Sequence, residues 1–84
     1  GYDFGKIVER TCNLFQVEKD IVFGNGRQKN RVMSRALICY WAVAELGMTM
    51  VDVARKFDVT PSAVSYSVRR GEKMAKKENF QLEI

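Results

Sequence analysis

The chain has no histidine, one proline and only two cysteines. Each scarcity removes a class of explanation. Cys12 and Cys39 lie far apart and have no histidine to join them, so no zinc-ligand spacing and no disulfide framework can be read. Both thiols are expected to be buried small hydrophobes in a reducing compartment. The longest apolar run, residues 36–44, falls well short of the roughly 20 residues that span a bilayer, and no secretory leader is visible. The glycine-containing stretch GNGRQKN lacks the strand–loop–helix context of a phosphate cradle. Serines and tyrosines are present, but no base is placed to activate them. No catalytic residue, metal or cofactor is therefore expected, although a catalytic domain could lie elsewhere in a parent protein. The start at Gly1-Tyr2, without methionine, is expected of a module taken from a longer chain.

What is present is helical periodicity in one domain of 84 residues, with a modest core. Phe4, Ile7, Val8, Thr11, Cys12 and Phe15 mark a first helix, and residues 17–22 a short second one before the Gly24-Asn25-Gly26 break. Residues 32–46 form the strongest helix, apolar nearly all round from Ala36, as a central helix would be; Tyr40 and Trp41 read as core. Gly47 is placed to stop it in a left-handed conformation. Thr49 is an N-cap, with Asp52 giving a capping-box-like pair, for a fourth helix over residues 50–57. Asp58 takes the turn and Val59 is expected to plug it. Thr60 caps the last helix, with Pro61 at its first position. Gly71 either ends that helix or is carried through it at about 1 kcal/mol; the spacing to Met74 and Ala75 favours continuation. The expected fold is all-α: a compact bundle of about five helices, with a helix-turn-helix over residues 49–70.

Charge is unevenly placed. The net charge is +4, yet residues 27–35 alone carry Arg27, Lys29, Arg31 and Arg35 with no acid, and residues 55–77 carry seven bases against two acids. Two basic blocks in an otherwise mildly acidic chain are the footprint expected for a polyanion. Arg35 has no acid three or four residues away, which favours a nucleic-acid contact over an intrahelical pair.

The segment VTPSAVSYSVRRG, residues 59–71, sharpens this. At roughly 100° per residue, Val68, Gly71 and Ala75 fall near Val64, on a buried stripe. Ser62, Ser65, Tyr66, Arg69, Lys73, Lys76 and Lys77 fall opposite. Small hydroxyls at the start of the outer face would let it approach a groove, and Arg69 could reach a guanine or a phosphate. The candidate DNA-binding residues are Thr60, Pro61, Ser62, Ser65, Tyr66, Arg69, Arg70 and Lys73 from this helix. Arg27, Lys29, Arg31 and Arg35 from a basic loop would add contacts to backbone or minor groove.

Over residues 4 to about 77 the chain resembles the C-terminal duplex-binding domain of the bacterial replication initiator DnaA, in the Trp-repressor-like superfamily. The likeness rests on LFQV, GRQKNR, RALICYW from Arg35, LGMTMVDVARKF and VTPSAVSYSVRRGEKM. It implies that residues 61–70 lie in the major groove, that Arg35 contacts the minor groove, and that Arg27, Lys29 and Arg31 touch backbone or minor groove. The initiator signature Asp-His-Thr-Thr-Val is replaced by Thr60-Pro61-Ser62-Ala63-Val64, so the initiator's binding-site sequence does not carry over. The run CYWAVAELGM…VARKFDVTPSAVSYSVRRGE is closer to the C-terminal extensions of small tyrosine-type transposase-like proteins associated with repetitive palindromic elements. That implies a targeting module for double-stranded DNA, in the bacterial cytoplasm and nucleoid. The isolated domain is expected to be a monomer, without small-molecule or membrane partners. A helical protein-interaction domain and a dimeric repressor are the competing readings.

Overall fold

Helix ends are set by local chemistry, and their positions largely follow the sequence signals. The computed structural model describes residues 3–24 and 29–82, the side chain of Lys29 excepted. It contains α1 (Phe4–Phe15), α2 (Lys19–Phe23), α3 (Lys29–Ala44), α4 (Met50–Phe57) and α5 (Pro61–Glu78), with no strand among the described residues. Asp3 caps α1 by accepting from the Lys6 amide at 2.9 Å. Thr49 accepts from the Asp52 amide at 3.0 Å, and Thr60 from the Ala63 amide at 3.2 Å. These side chains satisfy amides that a helix start leaves without partners.

Three helices share one ending. Gln16, Asp58 and Asn79 each take a left-handed conformation. The next residue then reaches back: Val17 to the Cys12 carbonyl, Val59 to Ala54 and Phe80 to Ala75, at 3.0, 3.0 and 2.9 Å. Val17 and Phe80 then pack against the core, whereas Val59 stays exposed. Gly47 supplies the left-handed turn after α3, with φ +70°.

α3 runs through the middle and packs against every other helix, most extensively α5. Ala36, Leu37, Ile38, Cys39, Trp41 and Ala42 are all buried, joined by Ile7 and Val8 of α1, Val22 of α2, Val53 and Phe57 of α4, and Val64 and Ala75 of α5. α3 and α5 touch backbone to backbone at Gly71, where an added Cβ would lie 2.1 Å from the Ala36 carbonyl oxygen. The glycine that could have ended α5 is therefore the point at which α5 is pressed onto α3.

Three expectations are corrected. α3 begins at Lys29 rather than residue 32, so most of the basic stretch is helix, not loop, and it ends at Ala44 rather than 46. α2 begins at Lys19 rather than 17. α5 runs straight through Gly71 to Glu78, the continuation that the spacing to Met74 and Ala75 favours. Val59 does not plug its turn; it is 37% exposed, because its amide rather than its side chain closes α4.

Both thiols are buried and unbridged. Burial pushes Cys39 from its ordinary 9.0 up to about 12, against a smaller opposite pull from Arg35. A thiol harder to ionise when folded protects the fold only while it is protonated in both states. Its contribution is intact below about pH 9 and is lost as pH climbs towards 12, because the unfolded chain ionises first. Unfolding free energy is expected to fall by about 1 kcal/mol per pH unit across that window from this group, and Cys39→Ala to flatten the decline. Denaturant melts at pH 8, 9 and 10 check it.

Candidate nucleic-acid interface

The first turns of α5 present small groups outward. Pro61, Ser62 and Ala63 are exposed, while Val64 behind them is 1% exposed and holds the helix to the core. One turn on, Tyr66 is 66% exposed, the most exposed large apolar side chain described. Arg69, Arg70 and Lys73 follow on the solvent side. Tyr66, Arg69, Arg70 and Lys73 line one shallow depression; Arg70, Lys73, Lys77 and the acid Glu78 line the next, with Met33 and Met74 beside them. Ser65 is half-buried, towards the flank. Thr60 is exposed at the helix start, but its hydroxyl oxygen is engaged as the cap.

Cations predominate on this ridge, with Glu78 at its far end. Among the described residues, no ion pair involves Arg69, Arg70, Lys73 or Lys77. The acid within α5's middle, Glu72, lies 3.8 Å from Lys76 on the flank. Four cations within nine residues on a helix about 27 Å long repel one another and gain from an external anion.

The second basic block is placed differently from expectation. Arg31 is only 8% exposed, and its Nε donates to the Ile21 carbonyl. Arg35 donates from Nε to the Val22 carbonyl and from Nη2 to the Gly24 carbonyl, both at 2.7 Å. Its guanidinium also lies over the Phe57 ring, 5.3 Å from the centroid. Phe57 in turn stacks on Phe23 at 5.2 Å. The two arginines, one turn apart on α3, serve the carbonyls at the end of the five-residue α2, which has no side-chain cap at its start. This removes Arg31 from the surface open to a polyanion and gives Arg35 an internal task. Arg35 is held below the usual guanidinium range, first by burial and then by the neighbouring Arg31, but remains a cation at neutral pH.

Arg27 lies outside the described residues, as does the side chain of Lys29; the Lys29 backbone opens α3. α5 thus brings together Ser62, Tyr66, Arg69, Arg70 and Lys73, and separates them from Arg31. Met33 and Met74 beside the cations were not expected in the site. Their signal was absent because the antiparallel pairing of α3 and α5 brings them together. Among the described residues there is no cluster of His, Cys, Asp or Glu able to hold a metal, and no helix long and apolar enough to cross a membrane. Set against known proteins, the chain matches no family model, no curated sequence and no solved structure.

Proposed function

We propose that this chain is a duplex-DNA-binding helix-turn-helix module in which α4 and residues 58–60 set α5 into the major groove. The observation that carries this reading is the row Tyr66, Arg69, Arg70 and Lys73. All four are exposed and without an acidic partner among the described residues, on a helix whose opposite side is fixed by Val64 and Gly71. Ser62 and Tyr66 meet base edges, Arg69 a guanine or phosphate, and Arg70 and Lys73 phosphates. Arg27, which precedes α3 in sequence, and Lys29, its first residue, add backbone or minor-groove contacts. By its resemblance, the module directs a transposase-like or replication-related protein to its site.

Selection of bound duplexes from a random pool tests this. A recovered consensus that shifts with Ser62→Ala or Tyr66→Ala supports it. Recovery of no sequence above background, with binding to an acidic polypeptide instead, would favour the protein-interaction reading.

A further inference from the structure

We infer that Arg35 is a positioning residue for recognition by α5, acting from inside the molecule rather than by touching nucleic acid. The inference rests on the DNA-binding reading above. Arg35 belongs to α3, donates to the carbonyls of Val22 and Gly24 at the end of α2, and lies over Phe57, the last residue of α4. Three helices therefore meet on one guanidinium. Phe57 immediately precedes the connection that launches α5, and Arg35 lines a small cleft with Phe57, Val59, Ala63, Val64 and Ser67. That cleft separates Arg35 from the first two turns of the proposed reading helix. A shift of Phe57 would move Asp58, Val59 and Thr60, and with them the angle at which Ser62 and Tyr66 are presented.

The chemistry calls for arginine. A planar fork donates to two carbonyls in fixed directions while its face stacks on a ring; a lysine ammonium is a point charge that cannot do both. A residue that merely touched phosphate would tolerate lysine, and losing its charge would weaken all duplexes alike.

The test compares wild type, Arg35→Lys, Arg35→Gln and Phe57→Leu, each shown folded by circular dichroism at the assay temperature. Each is titrated with a pool-selected duplex and with a scrambled duplex over a salt series. The ratio of selected to scrambled affinity is expected to fall about tenfold in Arg35→Lys and in Phe57→Leu. The scrambled affinity and salt slope should hold, and the double variant should be little worse than either single. A purely scaffolding role would lower the melting temperature and leave the ratio unchanged. A direct phosphate contact would leave Arg35→Lys near wild type and cut the salt slope by about 0.9 in Arg35→Gln. Either pattern overturns the inference. If Arg35→Lys does not fold, Phe57→Leu, which keeps the charge, decides alone. Failure of the wild type to bind any duplex is a separate result: it sinks the DNA-binding reading and this inference with it.

Discussion

Gly71→Ala is expected to be the most damaging single-methyl change in the chain. The new Cβ would lie 2.1 Å from the Ala36 carbonyl oxygen, 2.7 Å from its carbon and 2.8 Å from Tyr40 Cβ. Two of those atoms are backbone in the middle of α3, so no rotamer change can relieve the overlap. α3 and α5 would have to part along the largest helix interface. Alanine's better helix propensity recovers about 1 kcal/mol, against an overpacking cost at or beyond the upper end of the usual range of about 1–3 kcal/mol. A net loss of about 2 kcal/mol or more would lower the melting temperature by roughly 10 °C or more in a domain of this size. Gly5→Ala is the control. Its Cβ would meet only Asp3 Oδ1 at 3.4 Å, ordinary contact. That change is expected to be neutral or stabilising by up to about 1 kcal/mol. Thermal melts of the two variants should move in opposite directions. A Gly71→Ala protein as stable as wild type would mean that the two helices are not in backbone contact.

Removing Arg69, Arg70 and Lys73 together, each to alanine, is expected to abolish most duplex affinity and leave the fold intact. All three side chains are exposed, and no described residue pairs with them, so each change should alter stability by less than about 0.5 kcal/mol. On the duplex, each loses a charge-assisted hydrogen bond worth about 1.5 kcal/mol or more. Together they give a loss of roughly a thousandfold. The log–log salt slope should shrink by about 2.7, or about 0.9 per neutralised phosphate. Lys76→Ala should do less, because Lys76 lies on the flank beside Glu72. Fluorescence anisotropy over a salt series, with melting curves for each variant, separates lost contacts from lost structure.

The sequence is most legible where the physics is local. Thr49, Thr60 and Pro61 mark helix starts because the cap and the proline act within one turn. Gly47 and Asp58 mark ends because a left-handed residue is a property of the position itself. Gly71 was ambiguous because both continuation and termination satisfy local rules. What decides it is Ala36, thirty-five positions away in the chain. Arg31 misled, and the internal bonds of Arg35 stayed hidden, for a related reason. A run of bases without acids looks solvated, and charge counting does not register that α2 leaves three carbonyls needing donors. The outer face of α5 was readable because periodicity alone separates Val64 and Ala75 from Tyr66 and Lys73. Ser65, on the boundary between the two stripes, turned out half-buried.

The fold and the proposed function lean on different residues, so they can be tested apart. Gly71, Val64 and Thr60 hold α5 in place, while Tyr66, Arg69, Arg70 and Lys73 give the helix something to do once it is there. On the proposed reading, Arg35 couples the two sets.

The most direct measurement is a residue-resolved nuclear magnetic resonance titration of the labelled protein with a pool-selected duplex. The amides of Thr60 and residues 62–73 and the side chains of Tyr66 and Arg69 should shift together and saturate at one duplex per chain. The polar depression on α1 lined by Lys6, Glu9, Arg10 and Asn13 should stay silent. Shifts confined to that α1 surface, or a spectrum unmoved at α5 while the duplex binds, would contradict the assignment of α5 as the DNA-reading helix.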